Sequence, residues 1–121
     1  MASGWISITQ RIRIYTRDNS VCCYCGKTCV SNHAYQNSNG AIDRSNVNSL
    51  DHIVSQKELA AASTDDKDFS AKRRDAKNLV VACTGCNAAK KDIPLYVWCQ
   101  QTNKDYARII IEIGNRIQRS L

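Results

Sequence analysis

The chain has 121 residues, of which 43% are hydrophobic, and it carries a formal net charge of +6 at pH 7. This length corresponds to one domain, so residues 1–121 are expected to fold as a single unit. No apolar run approaches the roughly 20 residues that cross a bilayer, which excludes a membrane-spanning class, and the positive charge favours a polyanionic partner.

Cysteine usage narrows the class of protein further. The sequence contains seven cysteines, and an odd number does not suit a complete disulfide framework. The first residues, MASGWISITQRIRIYTRDN, contain neither a basic segment followed by an apolar run nor a small-residue cleavage site, so we expect no secretory signal. A reducing cytoplasm is therefore expected, in which clustered cysteines typically serve as metal ligands.

The first predicted element has two interpretations. Isoleucines alternate as in a strand at positions Ile6, Ile8, Ile12 and Ile14. Ile8, Ile12 and Tyr15 also share one face of a helix. These residues alone leave both interpretations open.

The middle of the chain contains two short strand-like runs. The stretch from Leu50 to Val54 is mostly apolar and predicts a strand. Ser55 and Glu58 match a capping box, so a short helix is expected to follow. Residues 64–77 are rich in charge and predict a flexible connection, after which Leu79 to Ala82 predicts the second strand.

Helices are predicted for the C-terminal part of the chain. Thr84 can cap a helix that contains Asn87, and Pro94 either ends that helix or begins the next element. A longer amphipathic helix is expected from about residue 103 to 120. Its predicted apolar face consists of Tyr106, Ile110, Ile113, Ile117 and Leu121. This face is expected to pack on the core, with a dimerising helix as the alternative.

Two Cys-x-x-Cys pairs, far apart in the sequence, predict a structural zinc site. Their spacing lets both thiolates of a pair reach one ion at about 2.3 Å, and four cysteines leave no open coordination position. The predicted ligands are Cys22, Cys25, Cys83 and Cys86. Cys29 is a rival ligand, because a Cys-x-x-x-Cys spacing from Cys25 is also permissible, whereas Cys23 is wrongly spaced to pair with Cys25. Cys99 is expected to be an ordinary buried thiol.

Three polar residues have no role in such a zinc site. Asp51 and His52 interrupt a short apolar run, and Asn87 directly follows the last predicted zinc ligand. If the two strands pair and the helix packs across them, the Asp51 carboxylate and the Asn87 amide oxygen could hold one cation. A twist or bulge is expected there, since neighbouring strand residues face opposite sides of a sheet. Hard oxygen ligands suit Mg²⁺ or Mn²⁺.

Together these motifs resemble a known family. The segments RDNSVCCYCGK, LDHIVS and NLVVACTGCNAAKK have the order and spacing found in the HNH endonuclease family, in its zinc-stapled branch with four cysteines. The resemblance covers roughly residues 11–93. It implies an α+β chain whose ββα-metal finger occupies about residues 20–93 and is flanked by N- and C-terminal helices. It also favours a helix over residues 8–19.

The resemblance implies a role for each polar residue of the motif. His52 matches the general base that activates water, and Asp51 matches the metal-binding residue beside it. Asn78 matches the asparagine that braces the loop of the hairpin and so orients the base. Asn87 matches the second ligand of the catalytic Mg²⁺ or Mn²⁺. Neutral imidazole accepts a proton near neutral pH, and cleavage in this family leaves a 5′-phosphate and a 3′-hydroxyl.

The sequence departs from the family pattern at two places. Lys91 stands where the bacteriocin-type nucleases have a further histidine, which strengthens the prediction of Mg²⁺ or Mn²⁺. The segment between the strands lacks the usual glycine-rich turn and contains the Lys72-Arg73-Arg74 cluster instead. We expect phosphate contacts, which position a strand without specifying its sequence, from Arg73, Arg74, Lys90 and Lys91.

The sequence therefore predicts a metal-dependent endonuclease that nicks or cuts double-stranded DNA in the cytoplasm of a bacterial or phage-infected cell. Small members of the family resemble phage packaging-associated nucleases and compact restriction enzymes. A homodimer would supply the larger interface that sequence-specific recognition needs. The alternatives are a non-catalytic zinc module that binds nucleic acid and a zinc-stapled protein-interaction domain. Loss of binding at raised salt would separate these two, and metal-dependent cleavage would separate the nuclease from both.

Overall fold

The computed structural model describes residues 6–119 and has an α+β architecture. The helices are α1 Ile8–Arg17, α2 Asn32–Gln36, α3 Gln56–Ala62, α4 Asp66–Arg73, α5 Thr84–Lys90, α6 Leu95–Thr102 and α7 Tyr106–Gln118. The strands are β1 Asn48–His52 and β2 Leu79–Cys83. None of these helices combines the length and the apolar character needed to cross a bilayer.

The two predicted strands pair, but β1 begins and ends two residues earlier than the predicted run from Leu50 to Val54. β1 and β2 form an antiparallel sheet in which Asn48 lies opposite Cys83 at one end and His52 lies opposite Leu79 at the other. The pairing is regular along all five positions, so the expected bulge is absent from this sheet. The sheet therefore has two distinct ends, one next to a predicted zinc ligand and one at the predicted base.

The connection between the strands is helical, in contrast to the flexible segment predicted over residues 64–77. The capping box of Ser55 and Glu58 begins α3, as predicted. α4 then begins at a second cap, where the Asp65 side chain accepts from the backbone N–H of Asp68. Acidic residues occupy the first turn of α4 and basic residues its last turn, an order that complements the helix dipole. The high charge content of this segment indicated flexibility, but the order of the charges stabilises a helix.

The hydrophobic core is built around β2. All five residues of this strand are buried. Ile14 of α1, Trp98 of α6 and Ile109 of α7 belong to the same buried cluster. Because residues on both faces of β2 are covered, the strand has no alternation of polar residues, which is why it appeared in the sequence as a continuous apolar run.

The buried face of α7 differs from the predicted face. Ile109 and Ile113 are buried together with Arg116, whereas Ile110 is 42% exposed. Leu121, also assigned to the predicted face, lies outside the described residues. Arg116 is not part of the predicted apolar face, and its burial turns the helix from the predicted orientation.

A buried ion network explains why Arg116 is drawn inward. Its Nη1 atom lies 3.2 Å from Asp18 Oδ2 and donates to Val21 O at 2.7 Å. Asp18 also accepts from Arg17 Nε at 2.6 Å and from the backbone N–H of Val81 at 2.9 Å. Buried charges need partners of this kind, and here the partners join α1, β2 and α7.

Candidate functional site: a four-cysteine cluster and an adjoining cleft

The four predicted zinc ligands come together in space. The sulfur atoms of Cys22, Cys25, Cys83 and Cys86 all lie within 4.8 Å of one another. The first pair lies in the loop after α1, and the second pair spans the end of β2 and the first turn of α5. Four thiol groups so close together can hold a metal ion such as zinc, and their number matches a closed tetrahedral site.

Local hydrogen bonds give both Cys-x-x-Cys turns the same form. The backbone N–H of Cys25 donates to Cys22 Sγ at 3.5 Å, and that of Cys86 donates to Cys83 Sγ at 3.4 Å. A hydrogen bond from the Cys86 thiol lowers the pKa of Cys22 to about 4, and the same bond raises the pKa of Cys86. The Cys22 thiolate is therefore favoured, whereas the Cys86 thiol ionises only beside a positive charge, which a metal ion would supply.

The remaining cysteines lie outside this cluster. Cys29 is buried, and its Sγ atom donates to Lys27 O at 3.8 Å. Burial raises the pKa of both Cys29 and Cys23 to about 12, so both remain neutral thiols. The structure thus groups Cys22 with the other three ligands in preference to Cys23 or Cys29. Cys99 is buried in α6, as expected for a packed thiol.

A polar cleft of about 310 Å³ opens beside the other end of the sheet. It brings together residues from α1, β1, α3, α4 and α5, with Ser55 just before α3 and two residues just after α5. The lining residues are Arg11, Leu50, Asp51, His52, Ser55, Gln56, Arg73, Asn87, Lys91 and Asp92. Three residues that the sequence placed in one site, Asp51, His52 and Asn87, therefore line the same cavity.

The imidazole of His52 has a defined orientation. Its Nε2 atom lies 2.8 Å from the backbone oxygen of Arg73. A carbonyl oxygen only accepts hydrogen bonds, so in the neutral ring the proton resides on Nε2 and Nδ1 keeps the free lone pair. Burial lowers the pKa of His52, which favours this neutral form. Nδ1 is consequently the atom of this side chain that can accept a proton.

Asp51 lies at the base of the cleft and is held by two donors. The Tyr24 hydroxyl donates to Asp51 Oδ2, and Lys90 Nζ lies 3.1 Å from the same oxygen. Burial raises the pKa of Asp51, and the Lys90 ammonium acts against this increase. Burial and the charge of Asp51 also raise the pKa of Tyr24, so the phenol remains protonated and donates.

Lys90 occupies a position that the sequence did not indicate. Its side chain is fully buried, and Nζ donates to the backbone oxygen of His52 at 3.1 Å as well as contacting Asp51. A fully buried ammonium cannot reach a phosphate at the surface, so this placement contradicts the predicted phosphate contact. The Lys90-Lys91 pair suggested two equivalent surface cations, but consecutive residues near the end of a helix point in different directions.

The amide of Asn87 is fixed by β1. Its Nδ2 atom donates to Leu50 O and to Ser49 Oγ, each at 3.0 Å. Because Leu50 O can only accept, the nitrogen must face the strand, which settles the orientation of the amide. Both hydrogens of the amide are then used, and Oδ1 is the atom that remains for a ligand in the cleft.

Asn78 braces the chain immediately after β1. Its Oδ1 atom accepts from Val54 N at 2.8 Å, and its Nδ2 atom donates to Val54 O at 3.0 Å. The backbone N–H of Ile53 donates to the backbone oxygen of Asn78 at 2.9 Å. Asn78 is not among the residues that line the cleft. Its side chain holds the segment that follows His52.

The positive charges of the cleft come from three separate elements. Arg73 at the end of α4 and Lys91 after α5 line it, as does Arg11 of α1, which is not among the predicted site residues. Arg74 lines a different cavity, together with Ile6, Ser7 and Gln10. Arg11 lies far from the motif in sequence, and no pattern in the sequence links it to the cleft.

The chain was also compared with known proteins. Neither the models of protein families, nor the curated proteins, nor the solved structures gave a match. The interpretation of the cleft therefore depends on the chemistry of the residues that line it. That chemistry combines a neutral imidazole, a buried carboxylate, an oriented amide oxygen and several cations.

Proposed function

We propose that the protein is a metal-dependent endonuclease of the HNH type, which hydrolyses phosphodiester bonds in double-stranded DNA. The observation that carries this proposal is the state of His52, whose Nε2 atom is bonded to a carbonyl while Nδ1 keeps its lone pair in a polar cleft. Oriented imidazole, buried carboxylate and free amide oxygen are the groups that such a hydrolysis requires.

His52 is the general base of the proposed reaction. Nδ1 takes a proton from water as the water oxygen attacks phosphorus, and the bond from phosphorus to the 3′ oxygen breaks. The products are a 5′-phosphate and a 3′-hydroxyl, whose proton comes from solvent. A positioned base of this type contributes typically 10²–10⁴-fold to the rate. Arg73 O stabilises the protonated ring through the hydrogen bond at 2.8 Å.

Asp51 and Asn87 would hold the catalytic cation, for which Mg²⁺ or Mn²⁺ is proposed. Each residue offers a hard oxygen atom, and two protein oxygens leave positions for water and phosphate oxygens, as Mg²⁺ prefers. When bound, the cation offsets the negative charge that develops on the phosphate and on the leaving oxygen. The four-cysteine site would hold a structural zinc ion, which fixes the beginning of α5 and with it the position of Asn87.

Arg11, Arg73 and Lys91 would position the DNA backbone. All three line the cleft, and their charge matches the phosphates of both strands without specifying a base sequence. Arg74 is also proposed to contact DNA, at the neighbouring cavity. Lys90, which is fully buried, is not part of this set.

A plasmid cleavage assay tests the proposal. The wild type is incubated with supercoiled DNA and Mg²⁺, Mn²⁺ or EDTA, and His52→Ala and His33→Ala are treated in the same way. We expect metal-dependent conversion to nicked or linear DNA by the wild type and a loss of about 10²–10⁴-fold in His52→Ala. His33 lies exposed in α2, so His33→Ala is a matched control that should cleave normally.

Two results would contradict the proposal. Cleavage by His52→Ala at the wild-type rate would remove His52 from the reaction. The absence of cleavage by the wild type with every metal, together with salt-sensitive DNA binding, would instead favour the non-catalytic zinc module that binds nucleic acid.

A further inference from the structure

We infer that Lys90 neutralises the carboxylate of the cation site, so that the divalent cation binds tightly only together with a phosphodiester. This inference rests on the proposed function and names how that site is regulated. The cation and the phosphodiester each strengthen the binding of the other, and the buried lysine gains a role that the sequence motif does not assign.

The ammonium group of Lys90 has a fixed position beside Asp51. Nζ of Lys90 lies 3.1 Å from Asp51 Oδ2 and donates to the backbone oxygen of His52 at 3.1 Å. The side chain is fully buried, so the ammonium cannot swing into solvent when a cation arrives. A cation held by Asp51 therefore shares the carboxylate with a positive charge that stays in place.

The cleft as a whole carries excess positive charge. Its lining contains the carboxylates of Asp51 and Asp92, and against them stand the cationic side chains of Arg11, Arg73 and Lys91. Lys90 adds a fourth positive charge below the cleft. A divalent cation alone would enter a site with excess positive charge and one neutralised carboxylate, where repulsion opposes binding.

A phosphodiester supplies the negative charge and the further oxygen ligand that the cleft lacks. Its negative charge compensates the lining arginines and lysine, and its non-bridging oxygen offers a further hard ligand to the cation beside Asp51 and Asn87. Each ligand then improves the site for the other. Coupling of this kind is reciprocal and typically amounts to about 5–150-fold in affinity.

Tyr24 separates the effect of charge from the effect of geometry. Its hydroxyl donates to Asp51 Oδ2, the oxygen that Lys90 also contacts, but it carries no charge. Tyr24 therefore only positions the Asp51 carboxylate, whereas Lys90 both positions it and neutralises its charge. Removing each in turn shows which property controls the affinity for the cation.

Binding of Mn²⁺ measured by electron paramagnetic resonance tests the inference without any cleavage. The zinc-loaded full chain carries His52→Ala, so that a short DNA duplex stays intact, and Mn²⁺ is titrated with and without the duplex. We expect the duplex to tighten Mn²⁺ binding by about tenfold or more. Equal affinity in the two titrations would overturn the inference.

The same titrations on Lys90→Met and Tyr24→Phe, in the same background, assign the cause. Lys90→Met should bind Mn²⁺ at least about tenfold more tightly without DNA, and the effect of the duplex should shrink accordingly. Tyr24→Phe, the matched control, should keep most of the coupling. Equal changes in the two variants would show that geometry, and not charge, sets the affinity, and would overturn the inference.

Folding is checked by zinc content and far-ultraviolet circular dichroism. If Lys90→Met does not fold, Lys90→Gln removes the charge while keeping a polar group, and the same tightening is expected. The failure of this inference is distinguishable from the failure of the proposed function, because metal-dependent plasmid cleavage by the wild type is measured separately. Cleavage together with uncoupled Mn²⁺ binding would reject the inference alone.

Discussion

The four-cysteine cluster and the polar cleft occupy the two ends of one small sheet. The cluster takes Cys83 from the end of β2, where Asn48 lies opposite, and the cleft takes His52 from the other end, opposite Leu79. α5 serves both, because it begins among the cysteines and then presents Asn87 to the cleft. The two sites therefore share a scaffold but are assembled differently.

The difference lies in how many parts of the chain each site needs. Two turns with the same internal hydrogen bonds complete the cluster, and each turn depends on residues only three positions apart. The cleft needs α1, α3, α4 and the buried residue Tyr24 in addition to β1 and α5, which carries Lys90. The cluster therefore fails to hold its ion when one ligand is lost. In the cleft, by contrast, a single substitution can remove one function and leave the others intact.

The largest expected effect follows from loss of a cluster ligand. The cluster lies at one end of the sheet, and α5, which begins there, carries Asn87 to the cleft at the other end. We expect Cys83→Ser to lower the zinc content and to reduce the melting temperature by roughly 10 °C or more, since metal binding contributes directly to folding. Cleavage should fall with it, as α5 begins at this ligand. Zinc content by atomic absorption and thermal unfolding by circular dichroism provide the measurements.

Cys29→Ser is the matched control for this variant. Cys29 is buried to a similar degree, but it lies outside the group of four sulfur atoms. It should retain zinc, with a much smaller change in melting temperature. Loss of zinc from Cys29→Ser and its retention in Cys83→Ser would make Cys29 the zinc ligand in place of Cys83.

Local sequence signals predicted the parts of the molecule that depend on neighbouring residues. The Cys-x-x-Cys turns, the two paired strands and the capping box at Ser55 are all confirmed. Each of these features is set by residues within a few positions of one another, or by a run of apolar residues that is long enough to be buried. Such features can be predicted without knowing which distant parts of the chain come into contact.

The features that could not be predicted depend on contacts between distant residues. Lys90 is buried because Asp51 lies beside it, 39 positions earlier in the numbering, and Arg116 is buried because Asp18 accepts from it. In both cases charge indicated solvent exposure, whereas a buried carboxylate offsets the cost of removing the cation from water. Arg11 reaches the cleft only because α1 packs against β2.

An intermediate effect is expected at Asn78, which should affect the cleft alone. Asn78→Ala removes both side-chain hydrogen bonds to the Val54 backbone, so the segment after His52 loses its brace. A shift of about 1 Å in a catalytic group costs roughly 10²-fold in rate, and we expect a loss of this order in kcat. Zinc content should remain at the wild-type value.

Asn48→Ala provides the comparison at the opposite end of β1. The Asn48 side chain donates to Ser20 Oγ at 3.2 Å, at the end of the sheet next to the cysteine cluster. It should leave cleavage within about threefold of wild type once zinc is bound, since small rearrangements at distant sites act nearly independently. Equal losses in both asparagine variants would mean that the two ends of the sheet are not separable.

The smallest expected effect concerns the positive charges around the cleft. Arg11→Gln removes one cation from its lining, and we expect weaker DNA binding and a salt slope, in log K against log salt concentration, reduced by about one. Arg74→Gln removes the same charge from the neighbouring cavity. A duplex centred on the cleft should be affected by Arg11→Gln more than by Arg74→Gln, as measured by fluorescence anisotropy over a range of salt concentrations. A larger effect of Arg74→Gln would place the path of the DNA over the second cavity.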